Sequence, residues 1–212
     1  MITSEYDVVG IGNAIVDVLA QTEDVFLLEH GFAKGAMSII DAVTAQTLYN
    51  QKGPTTQISG GSAANTIAAL TSLGGKSAFV GKVGNDELGD FFRTDLQAIG
   101  VRFTTDTNTG GAPTARSFIF VTPDAERTML TFLGASVELG PKDIDPVLIS
   151  QSAVTYLEGY LWDPPKAKEA FVKAAGVAEK AGRTVSLSLS DPFCVDRHRA
   201  EFANFIKNHV DI

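Results

Sequence analysis

Two glycines, Gly60 and Gly61, stand directly before an apolar helical run, and Asn65 falls in the first turn of that helix. Glycine lets a ligand approach bare backbone, and a first helical turn offers unpaired amide groups at the positive end of the helix dipole. Asn65 adds a side chain that both donates and accepts. The segment Ser59-Gly60-Gly61-Ser62-Ala63-Ala64-Asn65-Thr66 therefore reads as a substrate cradle. Upstream stand Asn13 and Asp17, the latter between Val16 and Val18. A carboxylate inside an apolar run is set apart from an ordinary solvated acid.

The elements that must position these groups alternate. Asp7 to Gly12 reads as a buried strand, Ser62 to Leu73 as a helix stopped by Gly74-Gly75, and Ser77 to Val83 as a second apolar strand. Asn85 or Asp86 caps the next helix, along which Leu88, Phe91, Phe92, Leu96 and Ile99 recur at helical spacing until Gly100. Acids at Asp86, Glu87 and Asp90 favour that helix start and read as capping charges, not a metal cluster. Val101 to Thr107, Ala115 to Thr122 and Arg127 to Leu133 carry hairpin signals. Alternation then returns: a short helix near Asp143 to Ile149, a strand Val154 to Leu161, a helix Pro165 to Ala181, a strand Thr184 to Leu189 and a helix Asp196 to His209. Helix-linked strands predict a parallel sheet covered on both faces, with a small extra sheet projecting. Val210-Asp211-Ile212 begins what the pattern makes another strand, so the expectation is a chain that stops part-way through its domain.

Composition narrows the function classes. The chain has 212 residues, 44% of them hydrophobic, enough for a real core. A formal charge of -8 argues against a nucleic-acid or anionic-membrane surface, which would need a basic face. Cys194 is the single cysteine, so no intrachain disulfide forms and a reducing, cytoplasmic setting is expected. His30, His198 and His209 show no metal-ligand spacing. Gly10-x-Gly12 lacks the third glycine of a dinucleotide fingerprint, and no Gly-Lys-Ser/Thr phosphate loop follows.

Gly10-Ile11-Gly12-Asn13-Ala14-Ile15-Val16-Asp17, the helix start Gly60-Gly61-x-x-x-Asn65 and Gly81-Lys82-Val83-Gly84-Asn85-Asp86-x-x-Gly89 together resemble the ribokinase-like, or PfkB, carbohydrate kinases. Pro113-Thr114, Arg127-Thr128, Glu158-Gly159-Tyr160 and Leu187-Ser188-Leu189-Ser190-Asp191-Pro192-Phe193 extend the resemblance, most closely to the adenosine kinase branch. It implies an α/β fold: a ribokinase-like parallel sheet sandwiched by helices, with a small β-sheet lid and the carboxy-terminal part of the domain absent. Residues 1–212 would form the amino-terminal part of one such domain, with lid segments near 14–22, 35–41, 101–107 and 115–122.

The same resemblance implies ATP-dependent phosphorylation of the primary hydroxyl of a nucleoside, adenosine first, with ATP and Mg²⁺ as cofactors of the full-length protein. Fructose- or ribose-type sugars are the alternative acceptors, and a non-catalytic nucleoside- or sugar-binding protein is a further reading. Asp17, Gly61 and Asn65 match the positions that hold ribose hydroxyls, with Asn13 and Gly60 beside them. Ile39, Leu133, Ala135 and Tyr160 match positions around the base. The Asn-x-x-Glu and Gly-Ala-Gly-Asp motifs of the family, tied to magnesium, the anion hole and the catalytic aspartate, do not occur in this sequence. No catalytic or metal residue is therefore assigned, and the fragment is expected to be inactive. Since the carboxylate of Asp17 would repel phosphate, Gly60-Gly61-Asn65 reads as a hydroxyl-recognising element. Monomer and lid-mediated dimer stay open.

Overall fold

A computed structural model describes residues 4–51 and 53–212. Two five-stranded sheets organise them. The chain runs β1 (Tyr6–Ile11), β2 (Ile15–Gln21), α1 (Asp24–Glu29), β3 (Met37–Ile39), α2 (Ala42–Gln51), β4 (Thr56–Gly60), α3 (Ser62–Ser72), β5 (Ser77–Val80) and α4 (Glu87–Ala98). It continues through β6 (Arg102–Phe103), β7 (Ala115–Val121), β8 (Arg127–Phe132), α5 (Pro146–Ser150), β9 (Ser152–Glu158), α6 (Pro165–Lys180), β10 (Thr184–Ser188) and α7 (Pro192–His209).

The first sheet, in the order β10-β9-β1-β5-β6, is parallel throughout. Parallel strands need helical crossovers, and these bury both faces. On one face α6 presents Ala167, Ala170, Phe171, Ala174, Ala175 and Ala178 to Val9, Ile11, Leu157 and Val185, all fully buried. Small residues at helical spacing let α6 lie close to the strands. On the other face α3 sits against β1, where a Cβ on Gly10 would lie 2.6 Å from Ile67. The side chain of Asp86 caps α4 by accepting from the Gly89 amide at 2.9 Å.

The second sheet, β3-β8-β7-β2-β4, is mixed and forms the lid. Its back, including Val16, Val18, Phe118 and Leu130, packs into one cluster with Leu27 of α1 and Ala45 and Leu48 of α2. Sequence periodicity did not single out these two short helices. Of the expected lid segments, 14–22, 35–41 and 115–122 contribute strands here, while 101–107 requires correction. Arg102–Phe103 pairs with β5 at the edge of the parallel sheet. Phe103 is fully buried there, its ring centroid 6.0 Å from that of Phe79 and 5.5 Å from that of Phe92, and this packing outweighs a hairpin with β7. β7 pairs instead with β8, antiparallel.

Two boundaries also shift. β9 ends at Glu158 and passes into a 3₁₀ turn at Gly159–Trp162, earlier than the apolar run suggests. α7 begins at Pro192, with the Asp191 side chain accepting from the Cys194 amide at 2.7 Å. Beyond α7, Ile212 N–H donates to Val185 O at 3.2 Å and Leu187 N–H donates to Ile212 O at 3.0 Å, the parallel pattern along β10.

Candidate functional site

The strands of the parallel sheet step from β1 to β5 and β6 on one side and to β9 and β10 on the other, so their order reverses at β1. Open α/β sheets bind ligands outside the carboxyl ends of their strands at such a reversal. There β1 runs into Gly12 and Asn13, while its neighbour β9 ends at Glu158, with Ile11 in register with Leu157.

Glu158 is 1% exposed and ties three segments together. Its Oε2 accepts from the Asn13 backbone N at 2.5 Å and from Asn13 Nδ2 at 3.1 Å. Its Oε1 accepts from Ser62 Oγ in a short contact and from the Ala63 amide at 3.4 Å, at the start of α3. Burial pushes the Glu158 carboxyl above the usual carboxylate range, and hydrogen bonds from Ser62, Asn13 and Ala63 pull it back. A Cβ on Gly12 would lie 2.5 Å from Glu158 Oε2 and 2.7 Å from the Ala63 Cβ, so a side chain there would prise the junction apart. Because Nδ2 of Asn13 faces a carboxylate, the amide orientation is fixed by the network. Its Oδ1 is buried, and among the described residues no group donates to it.

Asp17, on β2, is half-buried, and among the described residues no group donates to its carboxylate. Burial alone raises its pKa to about 6. The two glycines lie against Asp17 and Asn13. A Cβ on Gly60 would lie 2.4 Å from Asp17 Oδ2, and one on Gly61, whose φ is +99°, would lie 2.2 Å from the backbone oxygen of Asn13. Asn65 projects from the first turn of α3, exposed and, among the described residues, with no side-chain hydrogen bond. Asn13, Asp17, Gly60, Gly61 and Asn65 thus gather where the lid joins the parallel sheet.

The remaining candidates are spread more widely. Strand register lines up Ile58, Asp17, Ser117, Thr131 and Ile39 in one row across the lid. In-register residues share a face, so Ile39, 59% exposed, looks out on the same side as Asp17. The next row, Leu19, Ile119, Met129 and Met37, makes that side apolar. Tyr160, 39% exposed, follows β9, and its backbone N–H donates to Ser190 Oγ at 2.9 Å. Burial and then the nearby Asp191 carboxylate push its hydroxyl pKa up. Leu133 is half-buried after β8, and Ala135 is fully buried, so its methyl offers no surface in this conformation.

Sequence reasoning missed Glu158 as a site residue. The signal was present: an acid closing the apolar run that ends at Leu157, the same anomaly that singled out Asp17.

Comparison with known proteins gives the family and the fold. Residues 35–212 match the model of the pfkB family carbohydrate kinases. An adenosine kinase from Sinorhizobium meliloti superposes with a TM-score of 0.88 at 53% identity, over 98% of this chain and 64% of that one. A probable sugar kinase protein from Rhizobium etli CFN 42 does so at 0.89 and 49%, over 99% of this chain and 64% of its own. A fructokinase from Solanum tuberosum is 35% identical over 129 residues, 60% of this chain and 40% of the plant protein. The chain belongs to the pfkB family of carbohydrate kinases and has the ribokinase-like fold of adenosine kinases. It spans less than two thirds of the length of these relatives. Among the described residues no helix is long and apolar enough to cross a membrane.

Proposed function

We propose that this chain forms the acceptor-binding part of an ATP-dependent kinase that phosphorylates the primary hydroxyl of a nucleoside, with adenosine as the foremost acceptor. The observation that carries the reading is a pair of acceptors without donors among the described residues, the Asp17 carboxylate beside Gly60 and Asn13 Oδ1 on the residue that Gly61 abuts. Two fixed acceptors suit the O–H donors of a vicinal diol. Asn65 completes the polar set, and Glu158 orients Asn13. The apolar face bearing Ile39, with Leu133 and Tyr160 at its margins and Ala135 behind, supplies a wall for a base. Likeness to the Sinorhizobium meliloti adenosine kinase supports a nucleoside.

ATP enters this reading as the phosphoryl donor. Among the described residues no group of three or more His, Cys, Asp or Glu side chains could hold a metal ion. Mg²⁺ enters the reading only as the cofactor expected of the full-length kinase, and no step is routed through it. The 212-residue chain alone, lacking both the Asn-x-x-Glu and Gly-Ala-Gly-Asp motifs, is expected to bind acceptor without transferring phosphate.

A ketose is the second reading, favoured by the similarity to plant fructokinase. The test is phosphorylation by the complete gene product, with adenosine, ribose and fructose as rival acceptors. Adenosine should give the highest kcat/KM, and D17N and N65A should each lower it at least about tenfold. N65A, at an exposed site, should leave stability within about 0.5 kcal/mol. A strict preference for fructose would establish the second reading. Phosphorylation of none of the three would sink both.

A further inference from the structure

Away from the acceptor site, β7 carries an arginine where its back-facing pattern calls for an apolar residue. Arg116 pairs in register with Val16 and Phe132 and shares their face, and it is 5% exposed. Its guanidinium has five N–H donors. Among the described residues its one hydrogen bond is from Nη2 to Gln46 Oε1 at 3.0 Å, and Nε is buried without a partner. The ring of Tyr49 lies under it, 4.9 Å from Cζ to centroid. No carboxylate comes within ion-pairing distance of it among the described residues. A buried cation without a counter-charge is costly, and burial accordingly pulls the Arg116 pKa down.

A cavity of about 180 Å³ opens beside this cation, lined by Gln46, Tyr49, Asp86, Glu87, Thr114 and Arg116 among others. A water molecule takes a share of about 30 Å³ of the liquid, so the space holds several waters or one compact polyatomic ion. Its far wall is the start of α4, a helix whose first amides point out of the helix without helical partners. The nearer carboxylate there is already engaged: Asp86 Oδ1 accepts from Gly89 N at 2.9 Å and Thr114 Oγ1 at 2.6 Å, and Oδ2 accepts from Thr114 N at 2.7 Å. Asp86 thus offsets Arg116 only at a distance. Glu87, exposed at the first helical position, is the single carboxylate on this wall without such an engagement.

We propose that the cavity between α2, the start of α4 and β7 is a binding site for a small oxyanion, phosphate or carboxylate, gripped by the unspent donors of Arg116. The site is independent of the acceptor site and of the kinase reading. Its anion would neutralise Arg116 and bridge a lid strand to the helix start of the parallel-sheet layer. Charge-assisted bonds to a guanidinium are the strong class of hydrogen bond, and the fork geometry of arginine suits oxyanions. Glu87 acts as a repelling neighbour that keeps the affinity modest.

The test is isothermal titration of the 212-residue chain with inorganic phosphate and, separately, acetate, at constant ionic strength set with chloride. Saturable binding of either anion is expected, weakened at least about tenfold in R116M and tightened about threefold or more in E87Q. Binding of phosphate alone assigns a phosphoryl ligand, and binding of acetate alone a carboxylate. Should R116M fail to fold, E87Q decides: unchanged affinity overturns the proposal. It is equally overturned if neither anion binds the wild-type chain, or if R116M binds as tightly.

Discussion

The carboxylate of Glu158 accepts from both the backbone and the side-chain nitrogen of Asn13, across 145 positions of sequence. One buried acid thereby decides which way a second residue's amide points. It also joins the ends of two neighbouring strands to the start of α3. Asn13 cannot present Oδ1 to a ligand unless Glu158 holds Nδ2.

Replacing Glu158 by glutamine therefore breaks the site from behind. The new amide turns an NH₂ toward at least one group that is itself a donor, at Asn13, Ser62 or Ala63. A buried donor left unpaired costs about 1–3 kcal/mol. E158Q should lower the unfolding free energy by that amount, read as a lower urea midpoint at unchanged slope, and should weaken acceptor binding. An unaltered midpoint would show that the network contributes nothing to the fold.

Asp17 makes stability and binding respond to pH in opposite directions. Its folded pKa is raised from 3.8 to about 6, so its favourable contribution to folding is complete below the unfolded value and lost as pH rises through about 6. D17N should be more stable than the wild type near pH 8, by about 1–2 kcal/mol after solvent screening, and the difference should vanish near pH 4. Ligand affinity needs the ionised form, so it should fall as pH drops below about 6. Urea unfolding and calorimetric titration across this range check both signs.

The two adjacent glycines should fail differently. In G60A the new methyl meets the flexible end of Asp17, which can swing aside, so the fold survives at a cost of about 1 kcal/mol while acceptor binding falls about tenfold or more. In G61A it meets the backbone oxygen of Asn13 with φ at +99°, and neither can yield. Strain of that kind costs about 2–4 kcal/mol. Equal urea midpoints for the two variants would refute the distinction.

How much of this was legible beforehand depended on whether the cause was local. Helical spacing and capping residues placed α3, α4 and α6 to within a residue or two, because amphipathic period and end signals are properties of the segment itself. The candidate acceptor residues stood out in the sequence because a glycine pair and a carboxylate among valines violate local expectation. Phe103 went astray because its partners, Phe79 and Phe92, belong to other elements, and a two-residue strand carries no period of its own. Glu158 stood in plain view at the end of β9, yet its importance came from Asn13 and Ser62, which no spacing connects to it. Arg116 was invisible for the same reason, since its burial is set by α2 and α4.

The tie at Glu158 also dates the site within the folding reaction. β1 is made first, yet one of its two neighbours, β9, is contributed by residues Ser152–Glu158. Contacts of such long sequence separation are slow to form, because the intervening chain must be ordered before they repay the loss of freedom. Until β9 is in place, Asn13 and the start of α3 lack the hydrogen bonds that Glu158 gives them. The Glu158 junction is therefore completed in a late event, the docking of β9, and on the proposed reading a nascent chain short of that strand carries the candidate binding residues without their orienting partner.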